Sequence, residues 1–168
     1  MPLVLTYLAL GSNLGNRESH LKAAVAGLSS HAIQPTRCAS IYLTEPRDNV
    51  DQPWFLNTII EASTELEPEP LLDACLAVEN TNYRVRDARR VKGPRTIDID
   101  IILYSNQIVQ TPRLTIPHPR YTCRRFVLEP LAEIASGFVD PVQLKTVVEL
   151  LNETQDAGQV RRTAPPLF

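Results

Sequence analysis

The sequence predicts an α+β fold in which amphipathic helices alternate with extended strands. Apolar runs of strand length are bounded by turn-forming residues, and other segments place apolar residues at the spacing of a helix. These patterns follow one another in the order strand, helix, strand, strand, helix, strand. This order is typical of a split βαβ arrangement, in which both helices cover one face of a mainly antiparallel sheet.

The first half of the chain supplies a strand, a helix and two further strands. Leu3–Leu10 is apolar on both faces, as a central strand is, and Gly11–Gly15 then turns the chain. Asn16 is a good N-cap for a helix over residues 17–29, whose apolar stripe consists of Leu21, Ala24, Val25 and Leu28. The next strands are predicted over Arg37–Leu43 and Phe55–Leu66. The polar connection between them has about ten residues, a length often found in functional loops.

The second half supplies another helix, a fourth strand and C-terminal helices. Pro68 opens a helix whose buried stripe contains Leu72, Cys75 and Leu76. The fourth strand runs to Tyr104, and short helices are predicted over Phe126–Ala135 and Val142–Asn152. We therefore expect a ferredoxin-like βαββαβ fold with a four-stranded sheet, helices on one face and C-terminal helical additions. One domain is expected over residues 1–168, with residues 160–168 as a loosely ordered tail.

The composition excludes several kinds of partner. The net charge is −2 and the sequence pI is about 5.9, whereas proteins that coat nucleic acid are usually basic overall. The three cysteines form no C-x-x-C pattern, which favours reduced thiols in a cytoplasm. The apolar run Leu3–Leu10 is too short to span a membrane. We expect a cytoplasmic monomer that acts on small molecules, without a nucleic-acid or membrane partner.

Two aspartates mark the fourth strand as the candidate reactive element. Strand side chains alternate between faces, so Asp98 and Asp100 share one face and the opposite face carries Ile97, Ile99, Ile101 and Leu103. Two carboxylates about 7 Å apart repel by about 2.5 kcal/mol at an effective dielectric of 20, and a bound cation would relieve this repulsion. Such a pair can hold two divalent ions for phosphoryl-type transfer, and Mg²⁺ suits oxygen ligands of this kind.

A basic segment precedes this strand. Residues 84–95 carry one acid, Asp87, and the following cations: Arg84, Arg86, Arg89, Arg90, Lys92 and Arg95. Cations beside a carboxylate pair suit a polyphosphate substrate. Because the cations repel one another, we expect the segment to close over the site only when anions are bound. Alternatively, both aspartates pair with Arg84 or Arg95, or face solvent on an edge strand.

Two further polar residues, Asn57 and Glu79, can each be interpreted in two ways. Asn57 offers a donor and an acceptor to the amide edge of a heterocycle, or it holds a neighbouring loop. Glu79 lies on the apolar stripe of the second helix, so its carboxylate needs a partner or a function. An arginine of the basic segment and a metal–nucleotide site are both candidates. The proline-punctuated loop 113–126 places His118 among several arginines and forms a second basic cluster.

Several motifs together carry a resemblance to a known family. They are Y-L-A-L-G-S-N-L over residues 7–14, D-Q-P-W-F-L-N over residues 51–57, G-P-R-T-I-D-I-D over residues 93–100 and R-L-T-I-P-H over residues 113–118. Over about residues 3–135 the chain resembles the 6-hydroxymethyl-7,8-dihydropterin pyrophosphokinases of folate biosynthesis. The last two motifs are the most specific.

The resemblance implies an activity and a role for individual residues. Pyrophosphate would pass from ATP to the hydroxymethyl group of the pterin, leaving AMP. Asp98 and Asp100 would bind two Mg²⁺ ions, and Arg84 and Arg95 would act with them in catalysis. The pterin would be held by Thr44, Phe55, Asn57 and Phe126, with the two rings on opposite sides of it. ATP would be held by Glu79, Arg86, Arg113, Thr115, His118 and Arg124.

The chain departs from the family pattern in places. Val91 and Lys92 stand where a tryptophan is common, Pro119 follows His118, and Arg47 lies where an apolar residue often covers the pterin.

Two other functions compete with this one. An RNA-binding ferredoxin-like module would use aromatic side chains on its sheet and a basic face. A two-metal phosphodiesterase would hydrolyse nucleotides without any pterin.

Overall fold

The computed structural model describes residues 2–47, 51–82 and 96–168. The strands are β1 (Val4–Ser12), β2 (Ile33–Cys38), β3 (Ile41–Thr44), β4 (Phe55–Thr64), β5 (Asp98–Tyr104), β6 (Val109–Gln110), β7 (Thr115–Ile116) and β8 (Val160–Ala164). The helices are α1 (Arg17–Ser30), α2 (Pro68–Thr81), α3 (Arg125–Ala135) and α4 (Val147–Glu153), with a short 3₁₀ turn at Tyr121–Cys123. The expectations for the basic segment, including those for Arg84, Arg86 and Arg95, lie outside the described residues.

The main sheet is antiparallel and has the order β5-β1-β4-β3-β8, with β2 also paired to β4. The predicted α+β class and the predicted order of elements along the chain are confirmed, but the sheet formed by the described residues has six strands rather than four. The predicted strand Arg37–Leu43 is broken into β2 and β3, which pair with successive parts of β4. The first strand also runs further than predicted, through Gly11 to Ser12.

The predicted loose tail is wrong for residues 160–164. These residues form β8, which pairs with β3 from Thr44↔Val160 to Ile41↔Ala164. The sequence of β8 is polar and mostly exposed, so it lacks the apolar alternation by which strands are recognised. Backbone hydrogen bonding along the open side of β3 holds it instead.

Helices cover both faces of the sheet. One core joins α1 and α2 to the sheet through residues such as Leu8, Leu21 and Leu71, and a second joins α3 and α4 through residues such as Ile59 and Leu131. The first two helices therefore share one face, as predicted. The last helix begins at Val147 rather than at Val142. The Asp140 side chain turns the intervening segment by accepting from two backbone N–H groups, and Thr146 caps the helix.

A bulge in β5 separates the two halves of that strand. Tyr7 pairs with Leu103 and Leu8 pairs with Ile101, so Ile102 is an extra residue without a partner in β1. Leu103 consequently packs in the α3–α4 core, whereas Ile99 and Ile101 pack against α1 and α2. The expectation that Leu103 shares a face with these isoleucines is therefore wrong. Asp98 and Asp100 precede the bulge, so their shared face is unaffected.

Candidate active site

A cavity of about 390 Å³ lies at one end of the sheet. It is lined by the ends of β1, β3, β4 and β5, together with residues from α2 and α3. The expected site residues that line it are Thr44, Phe55, Asn57, Glu79, Asp98, Asp100, His118, Arg124 and Phe126. Residues far apart in sequence are thus brought to one place by the strand order.

The two aspartates stand beside small neighbours on β1. Asp98 pairs with Gly11 and Asp100 pairs with Ala9, and paired residues of antiparallel strands point to the same face. The small side chains leave room above the carboxylates, both of which are partly exposed to the cavity. Within the three described ranges, no His, Cys, Asp or Glu residues converge in groups of three or more that could hold a metal ion. Two carboxylates in an open cavity fit Mg²⁺, which completes its shell with phosphates and waters.

Glu79 holds β5 at the level of the aspartates. Its side chain is almost fully buried on α2, and its Oε2 accepts a hydrogen bond of 2.8 Å from the Ile99 backbone N–H. Ile99 lies between Asp98 and Asp100 in the strand. The buried carboxylate therefore fixes the backbone that carries both aspartates, and it lines the cavity as well.

Asn57 lies across β1 from Asp98. Gly11 pairs with Asp98 on one side and with Asn57 on the other, which places the backbones of the two residues about two strand spacings, or roughly 10 Å, apart. Asn57 Nδ2 donates a 2.6 Å hydrogen bond to Thr44 Oγ1, which orients the amide. A Cβ at position 11 would overlap Asn57 Oδ1, so glycine is required at this close approach.

Aromatic side chains enter the same cavity from the sheet and from α3. Phe55 begins β4, and Phe126 lies in the first turn of α3. The Arg124 guanidinium lies 5.7 Å from the centre of the Phe126 ring, within cation–π range. A flat ligand in this cavity would meet both the aromatic rings and the carboxylates.

His118 is a neutral hydrogen-bond donor in this environment. Burial lowers the pKa of its imidazole to about 4, and the charges of Arg124 and Arg120 act in the same direction, while Asp98 opposes them. Its Nδ1 accepts from the Arg120 backbone N–H at 3.1 Å, so the ring proton resides on Nε2. Its own backbone N–H donates to the carbonyl of Ile102, the extra residue of the bulge, at 2.9 Å. The bulge thereby places His118 beside the aspartate strand.

A second cavity of about 290 Å³ adjoins the first. The two share Leu72, Ile99, Asp100 and His118 as lining residues. Arg113 and Thr115 line only the second one, and Arg113 forms an exposed ion pair with Asp73 on α2 at 2.5 Å. Asp73 raises the Arg113 pKa further, so this side chain is a cation at any physiological pH. A ligand that spans both cavities must therefore pass Asp100 and His118.

Several lining residues were not selected as site residues from the sequence. Arg47 and Glu45 follow β3 and line the first cavity, as does Gln52, whose Oε1 accepts from Asn13 Nδ2 at 2.8 Å. Arg47 forms an ion pair with Asp156, a residue near the C-terminus. Pairing between distant loop residues leaves no periodic signal, so the sequence pattern offered no way to find it.

Two strand carboxylates where two cavities meet form a site of the kind that phosphoryl-transfer enzymes use. The family model for 7,8-dihydro-6-hydroxymethylpterin-pyrophosphokinase (HPPK) matches residues 7–136. The chain belongs to this family, and it is a pyrophosphokinase of folate biosynthesis that uses ATP as co-substrate.

Individual relatives agree with this assignment. The 2-amino-4-hydroxy-6-hydroxymethyldihydropteridine pyrophosphokinase of Bacillus subtilis is 47% identical over 131 residues, which cover 77% of each chain. The enzyme of the same name from Haemophilus influenzae is 39% identical over 163 residues, covering 95% of this chain and 98% of the relative.

Solved structures agree at the level of the fold. A Plasmodium falciparum HPPK-DHPS with pterin and p-hydroxybenzoate superposes with a TM-score of 0.69 at 14% identity. The match covers 91% of this chain and 42% of that one. A further HPPK-DHPS, in complex with substrates, has a TM-score of 0.71 at 13% identity over 90% of this chain and 45% of the other. The chain therefore spans less than half the length of these solved proteins.

Proposed function

We propose that the first cavity binds 6-hydroxymethyl-7,8-dihydropterin and that ATP lies across the second cavity, with its phosphates at Asp98 and Asp100. The observation that carries this proposal is that the two cavities meet at Asp100 and His118. A heterocycle in one and a polyphosphate in the other would bring their reacting groups together at this boundary. In the transfer, the pterin hydroxymethyl oxygen bonds to the β-phosphorus, and the bond to the α-phosphate oxygen breaks, which leaves AMP.

The aromatic end of the first cavity is proposed to hold the pterin. Phe55 and Phe126 would stack on the two faces of the ring, since offset stacking is favourable for aromatics. Asn57, oriented by Thr44, would hydrogen-bond the amide edge. The spacing of roughly 10 Å between Asn57 and Asp98 leaves the hydroxymethyl end of such a ligand directed toward the carboxylates.

Asp98 and Asp100 are proposed to hold two Mg²⁺ ions together with the phosphates. Bound Mg²⁺ neutralises developing charge on the transferring group. Glu79 keeps the two carboxylates in register through its bond to Ile99. The donor set supports this proposal, because two strand carboxylates in an open cavity match what Mg²⁺ takes from a protein.

Cations and one neutral donor are proposed to bind the triphosphate. His118 would donate its Nε2–H to a phosphate oxygen, and Arg113 and Arg124 would supply charge from the two cavities. Thr115 adds a hydroxyl at the second cavity. From the sequence we add Arg86 as a phosphate ligand and assign Arg84 and Arg95 to stabilise the transition state.

We also propose that the enzyme acts as a monomer in the cytoplasm, without a nucleic-acid or membrane partner. The acidic net charge argues against a nucleic-acid partner. In the described part of the chain, no helix has the length and apolarity that crossing a bilayer requires.

The test is an assay of AMP release from ATP and Mg²⁺, with and without the hydroxymethylpterin. We expect AMP only when the pterin is present, together with an equal amount of pterin diphosphate, and no reaction in excess EDTA. Release of AMP without pterin would instead identify a nucleotide phosphodiesterase. Binding of RNA oligonucleotides without turnover would identify an RNA-binding module.

A further inference from the structure

The segment between α4 and β8 contacts residues that line the first cavity. Asp156 lies in this segment, and only 2% of its side chain is exposed, although no cavity-lining role is evident for it. Its Oδ2 accepts a 2.8 Å hydrogen bond from the backbone N–H of Arg125, the first residue of α3. Its Oδ1 accepts from the Gly158 N–H at 2.8 Å and pairs with the Arg47 guanidinium.

These contacts join the two walls of the cavity. Arg47 is a lining residue at the end of β3, and Arg125 lies between two lining residues of the other wall, Arg124 and Phe126. The carbonyl of Asp156 also accepts from Arg125 Nε at 3.0 Å. One buried carboxylate therefore fixes, at the same time, a cation on the β3 side and the start of α3.

Residues beside Arg47 and Asp156 add further contacts between the β3 side of the cavity and the segment that carries Asp156. Glu45 lines the cavity, and its backbone N–H donates to the Gln159 carbonyl at 3.2 Å, while its Oε1 accepts from the Gln159 N–H at 2.9 Å. A Cβ on Gly158 would lie 2.7 Å from Arg47 Nη1, so a larger residue there would push the guanidinium away from Asp156. Because α3 has no side-chain cap of its own at Arg124, the carboxylate also supplies a favourable charge at its N-terminus.

We propose that Asp156 is a positioning residue for the pterin end of the site. The ion pair with Asp156 holds Arg47 where it lines the cavity, and the anchored start of α3 presents Phe126 to the pterin, with Arg124 beside it. The inference rests on the proposed function, in which this cavity binds the pterin. It predicts that loss of Asp156 weakens pterin binding most, with a smaller effect on ATP binding through Arg124.

The experiment compares steady-state kinetics of the wild-type chain with Asp156→Ala and Asp156→Asn. We expect Asp156→Ala to raise the KM for pterin about tenfold or more, as for loss of hydrogen bonds to a charged group. The KM for ATP should rise less, through Arg124, and kcat at saturation should stay near wild type. Asp156→Asn keeps one acceptor oxygen and should show an intermediate KM. Glu153→Ala removes a carboxylate of the exposed pair with Lys145 and serves as the matched control, which should leave both KM values unchanged.

A second variant keeps the inference testable if Asp156→Ala fails to fold. In Gly158→Ala the new Cβ would lie 2.7 Å from Arg47 Nη1 and 3.1 Å from Asp156 Oδ1, so it disturbs this ion pair first. The bond from the Arg125 N–H uses the other carboxylate oxygen, Oδ2, and should persist, so the variant should raise the pterin KM alone. A lower melting temperature with an unchanged pterin KM would show that Asp156 has only a structural role. Equal rises in both KM values would also overturn the inference. A wild-type chain that bound no pterin would overturn the proposed function as well, and this control is measured first.

Discussion

The free energy of unfolding depends on pH through the His118 imidazole, and the size of this dependence follows from the change in the His118 pKa on folding. Its pKa falls from an ordinary 6.5 to about 4, chiefly because the ring is largely buried and secondly because Arg124 and Arg120 are near. A depressed pKa means that the unfolded chain binds the proton more readily than the folded chain. The neutral ring therefore contributes stability above pH 6.5, and this contribution is lost as pH falls from about 6.5 to about 4.

The size of the effect follows from the shift. Lowering the pKa from 6.5 to about 4, at 1.36 kcal/mol for a tenfold change in proton affinity, corresponds to a loss of roughly 3 kcal/mol across this range. Replacing His118 with Gln removes the titrating ring, so the variant should lose correspondingly less stability between pH 7 and pH 4. Carboxylates titrate in both the wild type and the variant. The difference between their curves of unfolding free energy against pH therefore gives the contribution of His118 alone.

The assay is urea unfolding, followed by circular dichroism at half-unit steps from pH 7.5 to pH 4. Above pH 7 the two free-energy curves should run parallel, and below pH 6.5 they should converge or cross as the wild type loses stability faster. Parallel curves down to pH 4 would falsify the assignment of a neutral, buried His118. A variant that lost stability faster than the wild type would contradict the sign of the shift.

Three other predictions concern the ligand sites. Asn57→Ala should weaken pterin binding by about 1–3 kcal/mol in calorimetry, because the buried amide edge of the pterin loses its hydrogen-bond partner. An unchanged Kd would refute this role of Asn57. Gly11→Ala should weaken pterin binding in the same way, since its Cβ would displace the Asn57 amide, and a Kd equal to wild type would contradict the close packing. Arg84→Ala and Arg95→Ala should lower kcat about 100-fold or more, equivalent to about 2.7 kcal/mol, with small changes in substrate Kd. Variants that lose binding rather than kcat would assign these arginines to ground-state binding.

Local patterns predicted the elements that carry the chemistry. Alternation placed Asp98 and Asp100 on one face of a strand, and helical spacing placed Glu79 on the buried side of α2, where it is found. The N-cap at Asn16 is confirmed by the hydrogen bond that its Oδ1 accepts from the Ser19 N–H. These features depend on neighbours within one turn or one strand, which the sequence displays directly.

Features that depend on distant partners could not be predicted in this way. The bulge at Ile102 requires knowledge of the register with β1, and Leu103 was therefore assigned to the wrong face. The polar strand β8 owes its place to the backbone of β3, and Asp156 owes its burial to Arg47 and Arg125. The hydrogen bond that sets the His118 tautomer likewise comes from the conformation of its loop.

The most direct test of the central claim is the Mg²⁺-dependent rate of AMP and pterin diphosphate formation by Asp98→Asn and Asp100→Asn. Asparagine keeps the size of the side chain but removes the charge that would hold the ions, so kcat should fall at least about 100-fold. Pterin binding, measured by calorimetry in the same samples, should remain near wild type because Phe55 and Asn57 lie on β4, across β1 from the carboxylates. Glu18→Gln, on the exposed face of α1, is the matched charge control and should change neither quantity. A near-normal kcat in either aspartate variant would contradict the assignment of the transfer reaction to this carboxylate pair.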